Sequence, residues 1–337
     1  MTKILVTGGC GYIGSHTLVE LLNSGYEVVV YDNLSNSSKE TLNKVYEITG
    51  KMLNFYEGDI CDYNTLVKLF KTHSFDAVIH FAGLKSIGES NSNPILYYEN
   101  NVSGTLQLIK TMNTFNIKKI VFSSSATVYG TPVDLPLKET MPTGNPINPY
   151  GKSKLMIEKI FEDLAVSDPD WSIVSLRYFN PVGAHKTGLI GENPKGVPNN
   201  LMPIICQVAI GLLDELPILG NDYETCDGTG VRDYVHVVDL AKGHIKALLK
   251  VLSANGEWKI NLGTGKGYSV LEIVKMFEAV SGKHIPLSFL ERRLGDVDTC
   301  FANSTYAKDI LDWTAVYDLE NMCEDTWRWV SKNPKGF

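Results

Sequence analysis

Along the first half of the chain, short apolar runs alternate with longer stretches of helical spacing. Residues 3–7, 27–32, 54–57, 77–81 and 119–123 are brief, rich in Val, Ile and Phe, and closed off by turn residues, the pattern of buried strands. Between them, residues 12–23, 38–49, 63–71 and 94–115 repeat their apolar positions at helical intervals, and a helix over 149–164 leads into a strand over 172–178. Strands buried on both faces and separated by helices predict a parallel sheet with helices packed on either side. Beyond residue 180 the texture changes. Residues 184–200 form a Gly-, Pro- and Asn-rich stretch with weak periodicity, and loops of that length tend to serve a function or be disordered. Shorter α and β elements follow, with helices over 238–252, 270–280 and 319–332. The chain therefore divides into residues 1–180, a doubly wound α/β domain, and residues 181–337, a smaller α/β domain, with some later segments returning to the first sheet and a cleft between the two.

Composition narrows the partners. The 337 residues are 44% hydrophobic and 20% charged, enough apolar material for a large core. A formal net charge of −7 without a Lys/Arg stripe argues against nucleic acid, which demands clustered cations. No segment approaches the roughly 18 apolar residues of a membrane span. The six cysteines are scattered without a CxxC pair, so a reduced, cytoplasmic setting is expected and neither a zinc knuckle nor a disulfide framework is indicated. His80, His185 and His236 lack ligand spacing and read as structural or loop positions.

Two motifs carry chemistry. After the first predicted strand, Gly8-Gly9-Cys10-Gly11-Tyr12-Ile13-Gly14 spaces three glycines as GxxGxxG and opens a helix. Gly8 would permit the tight turn, Gly11 the approach of backbone to a pyrophosphate, and Gly14 close helix–strand packing, with the phosphates meeting the free amides and positive end of the helix. Asp32 ends the second strand, where its carboxylate would accept both ribose hydroxyls and repel a 2′-phosphate; NAD is favoured over NADP. A tight strand–helix turn beside a solvated acid is the plainer reading, but strand, glycines, helix and acid are all in register here. Asp59 and Ile60, after the third strand, are placed to cap the adenine. Phe81, Ala82, Gly83 and Lys85, after the fourth, would lie along the pyrophosphate and ribose.

The second motif is Tyr150 and Lys154, four residues apart and so on one helical face. A free phenol, with a pKa near ~10, is a poor base at neutral pH; bringing it there takes about 4 kcal/mol of differential stabilisation. A neighbouring Lys154 cation and a positive nicotinamide ring would favour phenolate. Ser125, at the end of the fifth predicted strand, is available to the same substrate hydroxyl. A YxxxK spacing alone also occurs where the Tyr sits on a rim and the Lys is solvated. Following a dinucleotide fingerprint and a serine-rich strand end, it reads as a catalytic set.

The blocks VTGGCGYIGSH, Tyr31-Asp32-Asn33, FAGLKSIGES, SSSATVYG, Asn148-Pro149-Tyr150-Gly151-Lys152-Ser153-Lys154, RYFNPVGAH, Pro198-Asn199-Asn200-Leu201-Met202-Pro203 and DGTGVRDYVHVVDLA run through nearly the whole chain. In them the sequence resembles the extended short-chain dehydrogenase/reductases, and within these the UDP-galactose (UDP-glucose) 4-epimerases. The resemblance implies a Rossmann fold and a tightly bound NAD that is regenerated each cycle. It also implies a UDP-hexose substrate oxidised at C4 to a 4-keto sugar and reduced on its other face. Tyr150 would be the base, Lys154 would bond the nicotinamide ribose, and Ser125 would aid proton transfer. Asn33, Asn100 and Tyr178 join the cofactor set by the same resemblance. Asn180, Asn200, Leu201, Leu219, Arg232, Tyr234, Arg293 and Asp296 would hold the UDP part, the two guanidinium forks being suited to diphosphate. Leu219 departs from the family, which often places an aromatic beside uracil there. Cys300 falls at the gate beside the hexose 2-substituent, where a small side chain leaves room for an N-acetyl group, so UDP-GlcNAc and UDP-GalNAc are expected substrates too. The resemblance further implies a homodimer formed through the helices 94–115 and 149–164. Two alternatives stay open: another nucleotide-sugar reductase or dehydratase on this fold, although residues 125–128 lack the extra acid of a dehydratase, and a nucleotide sensor that has lost catalysis.

Overall fold

The computed structural model describes residues 1–196, 198, 200–293 and 296–337. Its strands are β1 (Lys3–Thr7), β2 (Glu27–Asp32), β3 (Asn54–Glu57), β4 (Ala77–His80), β5 (Lys119–Ser125), β6 (Ser172–Tyr178), β7 (Asn180–Val182), β8 (Leu216–Leu219), β9 (Val231–His236), β10 (Gly256–Leu262), β11 (Gly267–Ser269), β12 (Leu287–Leu290) and β13 (Thr299–Cys300). Seven of them form a parallel sheet in the order β10-β6-β5-β4-β1-β2-β3. The order reverses between β1 and β4, the topological switch point at which open α/β sheets bind ligands beyond their carboxyl edge.

Alternation along the strands explains the two layers. Ile4, Val6, Val28 and Val30 point to one face, against Leu18, Leu21 and Leu22 of the helix Tyr12–Asn23 and Leu240, Ala247 and Leu248 of the helix Val237–Ser253. Leu5, Val29 and Tyr31 point to the other, against Leu66 and Leu69, Leu108 and Met112, and Ile157 and Phe161 of the helix Pro149–Ser167. A third apolar cluster lies in the second half, where the helices Leu201–Ala209, Val270–Ser281 and Leu319–Lys332 cover two small sheets, β8 with β12 and β9 with β7, β11 and β13. β10, far along the chain, completes the edge of the large sheet. Among the described residues no helix is long and apolar enough to cross a membrane.

Two expectations need correction. β3 forms where the sequence predicts it but is not buried: it is the sheet's outer edge, and three of its four residues are exposed. The helix expected over 94–115 is instead broken into Pro94–Tyr97, a π-helical stretch Tyr98–Ser103, and Gly104–Thr114. One extra residue in the turn re-aims Asn101, which lies buried with its amide on the loop that follows β4 (Leu84 N to Oδ1 2.7 Å, Nδ2 to Leu84 O 3.0 Å).

A buried polar hub ties β9 to the loop after β10 and to the segment after β13. Asp233, fully buried in β9, accepts from Thr264 N at 2.8 Å, Thr264 Oγ1 at 2.6 Å, Gly265 N at 2.9 Å and Ala302 N at 3.1 Å. Replacing it with Ala strands three backbone amides in the interior. Asp233→Ala should lower the free energy of unfolding by about 3–5 kcal/mol in urea titration, and Asp233→Asn, which keeps one acceptor oxygen, by distinctly less.

Candidate active site

At the carboxyl edge of β1 the chain turns through Gly8, in the left-handed region at φ +71°; a Cβ there would stand 2.6 Å from Ala82 N on the neighbouring loop. A Cβ on Gly14 would come within 2.5 Å of Gly8 O, and one on Gly11 within 3.3 Å of the same oxygen. The turn thus presents backbone only, and no side chain caps the N-terminus of the helix Tyr12–Asn23. Bare amides at a helix start, beside glycines that tolerate no substituent, fit a dinucleotide pyrophosphate. Tyr12 reaches across to the second half, its hydroxyl donating to Gly183 O at 2.6 Å, and Ile13 packs on the core.

Asp32 stands at the end of β2 with its carboxylate accepting from Cys10 N, Leu34 N and Ser37 Oγ, each at 2.9 Å. These donors use part of its four lone-pair sites and fix the group facing the turn. Asn33 donates to Asp59 Oδ2 at 2.8 Å, joining the ends of β2 and β3. Ile60 buries its side chain beside Gly104, so its backbone is what remains for a ligand. Phe81 lies 4.7 Å from the His244 ring, Ala82 against Gly8, and Gly83 beside Asn101. Lys85 pairs with Glu192 at 3.1 Å. Asn100 borders a shallow depression with Asp59 and Cys61, and Tyr178 at the end of β6 hydrogen-bonds His244. His80, read as structural, is buried between Thr7 Oγ1 at 2.6 Å and Thr105 Oγ1 at 2.9 Å.

The catalytic candidates meet beyond β5. Asn148 accepts from Gly151 N at 2.8 Å, and Pro149 starts the helix, so Tyr150 lies in its first turn. Gly151 lets that turn approach the 3₁₀ segment Ala126–Tyr129: a Cβ would sit 3.1 Å from Thr127 O. Ser125, held by Thr127 Oγ1 at 3.0 Å, hydrogen-bonds the Tyr150 phenol. One turn on, the Lys154 ammonium is buried, donates to Ser123 O at 2.7 Å, and lies 4.8 Å from the Phe122 ring centroid and 5.9 Å from that of Tyr150.

Burial governs the electrostatics of the chain itself. In the chain itself burial dominates and raises the Tyr150 phenol above its ordinary value, with the Ser125 hydrogen bond opposing it. Burial likewise pushes the Lys154 ammonium down to about 7, opposed by the Glu158 carboxylate.

Later in the chain, Asn180 in β7 is in register with Tyr234 in β9, and Arg232 in β9 with Cys300 in β13. Arg232 and Arg293 share one carboxylate, Asp296, at 4.0 and 2.8 Å. Tyr234 is buried, which lifts its phenol to about 12 with Arg232 opposing; Cys300 is lifted to about 11 by the same cause. Asn200 precedes the helix Leu201–Ala209 and donates to Glu192 Oε1 at 3.0 Å. Leu219 ends β8 with a partly exposed side chain. Asn199, within a block quoted above, lies outside the described residues, as do Leu294 and Gly295 between Arg293 and Asp296.

Two neighbours escaped the sequence reading. Asn101, rather than Asn100, is the buried amide that pins the loop after β4 and also bonds Ser153 at 3.1 Å. Glu192 bridges Lys85 and Asn200, but it stands in a stretch without periodicity, so only spatial proximity reveals it. Among the described residues no group of three or more His, Cys, Asp or Glu is placed to hold a metal ion.

Comparison with known proteins agrees with this geometry. The model of the NAD dependent epimerase/dehydratase family matches residues 4–263. The UDP-glucose 4-epimerase of Bacillus subtilis (strain 168) is 60% identical over 334 residues, covering 99% of this chain and 98% of its own, and that of Homo sapiens is 56% identical over 341 residues, covering 99% and 98%. The crystal structure of UDP-glucose 4-epimerase from Bifidobacterium longum in complex with NAD+ and UDP superposes with a TM-score of 0.97 at 52% identity over 100% of both chains. The chain belongs to the NAD dependent epimerase/dehydratase family.

Proposed function

We propose that this protein is a UDP-glucose 4-epimerase that interconverts UDP-glucose and UDP-galactose. The carrying observation is the convergence of Ser125, Tyr150 and Lys154 beyond β5, at the carboxyl edge that also holds the glycine turn. The relatives' common activity supports the same reading.

NAD, when bound, takes up and returns the hydrogen of sugar C4 with its electron pair and brings a positive ring to the pocket. Gly8, Gly11, Tyr12, Ile13 and Gly14 would hold its pyrophosphate, Asp32 and Asn33 its adenosine ribose, and Asp59, Ile60 and Asn100 the adenine side. Phe81, Ala82, Gly83, Lys85 and Tyr178 would line the remainder, with Lys154 on the nicotinamide ribose. Tyr150 removes the proton of the 4-hydroxyl as the sugar is oxidised and returns it to the same oxygen when the turned-over 4-keto sugar is reduced on its other face. Ser125 donates to the same oxygen pair and steadies the phenolate. Lys154, one helical turn away, opposes the burial that otherwise keeps Tyr150 protonated once a second cation shares the pocket. Arg232 and Arg293 take the diphosphate, and Asp296 holds the two guanidinium groups apart and oriented before it arrives. Tyr234, Asn180, Asn200, Leu201 and Leu219 complete the UDP side. Anchoring through UDP leaves the hexose free to turn between its two hydride-exposed faces.

The division of labour follows: residues 1–180 bind the cofactor, while residues 181–337 mainly bind the UDP-sugar. Cys300, in register with Arg232, is the gate residue. Its thiol is far smaller than a phenol ring, which supports acceptance of the N-acetylated sugars. Ile95, Leu96, Leu106 and Met156 expose apolar surface on the helices around 94–114 and on Pro149–Ser167, supporting a homodimer through those faces. A cytoplasmic location is part of the same proposal.

Purified protein incubated with UDP-galactose, and separately with UDP-GalNAc, without added NAD should form the C4 epimer of each. Tyr150→Phe should retain UDP binding by calorimetry and lower kcat by 10²-fold or more, the scale of a lost general base. Cys300→Tyr should abolish turnover of the N-acetylated pair and spare the other; equal loss of both overturns the gate. Ile95→Lys with Leu106→Lys should convert a dimer to a monomer in sedimentation, with little change in thermal midpoint.

A further inference from the structure

Behind the catalytic helix lies a charged network that the epimerase reading does not use. Glu158 is fully buried, one turn beyond Lys154 and two beyond Tyr150, so all three share a face of the helix Pro149–Ser167. Arg177 in β6, itself 1% exposed, grips its carboxylate with both arms, Nε to Oε1 at 3.0 Å and a terminal nitrogen to Oε2 at 2.7 Å. Ser124 donates to Oε1 at 2.6 Å. The remaining Arg177 arm reaches Tyr129 Oη at 2.9 Å, which donates in turn to Asn261 Oδ1 at 2.7 Å. The network is satisfied throughout and touches the candidate triad at two consecutive residues of β5. Ser123 O receives the Lys154 ammonium, and Ser124 Oγ is bound to Glu158.

We propose that Glu158 is a positioning residue for the epimerisation: clamped by Arg177 and Ser124, it sets the Lys154 amine as a buried cation aimed at the pocket. Lys154 is walled by groups that contribute no negative charge. On β5 it meets the Phe122 ring and the neutral Ser123 carbonyl; on β4, His80, kept neutral by burial and paired with two threonine hydroxyls. On β6 the Tyr178 phenol is raised by burial, and on its own helix the Tyr150 phenol is raised as well. Asn101, from the π-helical stretch, is uncharged, its amide engaged by Leu84 and Ser153. Among the described residues Glu158 is the carboxylate that supports the ammonium, and Arg177 pairs with it through both carboxylate oxygens. Without that charge, burial would be unopposed and the amine would lose its proton at lower pH. A neutral amine would neither favour the phenolate nor present a cation to a ribose.

The inference rests on the reading of Tyr150 and Lys154 as the proton-transfer pair, and its test separates the two. The Lys154 amine of the purified holoenzyme, labelled with ¹⁵N-lysine and assigned by Lys154→Met, is titrated by NMR in the parent and in three variants. Glu158→Gln with Arg177→Met removes both buried charges at similar volume and should lower the amine pKa by about one unit or more. The alkaline limb of the kcat profile should move to lower pH by the same interval. Glu158→Asp keeps the charge and should restore both toward the parent values, although its packing is poorer. Ser124→Ala, which removes one hydrogen bond and no charge, should leave the titration in place. An amine titration and alkaline limb unmoved in the charge-free double variant, or moved equally by Glu158→Asp, overturn the proposal. Should the double variant not fold, Glu158→Asp against Ser124→Ala still decides it: an amine that follows side-chain length instead of charge counts against. Full activity in Tyr150→Phe would instead sink the pair reading, whatever the amine does.

Discussion

At Gly8 there is no room for a side chain, and much of the molecule follows from that. β1 and β4 are neighbours in a parallel sheet, yet their following loops must diverge because the strand order reverses between them. Backbone from the turn after β1 meets backbone from the loop after β4 at Ala82, so closely that a methyl group at Gly8 would stand 2.6 Å from its amide nitrogen. Packing backbone on backbone brings the bare helix start, the end of β2 and the end of β4 within reach of one extended ligand. The remaining strands, being parallel, deliver their own carboxyl ends to the same edge, and Ser125 and Tyr178 arrive there without any loop having to travel.

That geometry explains why the first half was readable in the sequence and much of the second was not. Strands buried on both faces are written as unbroken runs such as Ile4-Leu5-Val6 and Val28-Val29-Val30, and their boundaries fell within a residue or two of the structure. β3 has a similar signature but no neighbour beyond it, and nothing local to Asn54–Glu57 announces an edge. The π-helical turn at Tyr98–Ser103 is invisible for a related reason: its cause is the tertiary demand that Asn101 reach Leu84, while the residues themselves suit an ordinary helix. The small sheets of the second half join strands of two to six residues by long-range pairing, below the length at which alternation carries a signal. Site residues whose spacing is local, such as Tyr150 with Lys154, were accessible. Glu192, which matters only through Lys85 and Asn200, was not.

Burial also sets the terms for the chemistry. A pocket dry enough to protect a reactive intermediate raises a phenol and lowers an ammonium together, pulling Tyr150 and Lys154 away from the charged states the reaction wants. The fold has to answer that penalty with charge placed where solvent cannot screen it. In the second half, Asp296 pairs with both Arg232 and Arg293, so a shared carboxylate offsets the repulsion between two cations.

On the catalytic side the answer is deeper and costs more. A buried ion pair such as Arg177 with Glu158 typically returns little net stability, since removing both charges from water offsets most of their attraction. Apolar residues of equal volume would hold the helix Pro149–Ser167 against β5 and β6 at least as well, as Ile157 and Phe161 already do a turn away. What a hydrophobic pair could not supply is a fixed negative charge one turn beneath Lys154. Arg177 offsets the carboxylate for the interior as a whole, while Glu158 is the carboxylate that acts on the Lys154 ammonium. A network that is nearly neutral for folding thereby still acts on the buried Lys154 ammonium.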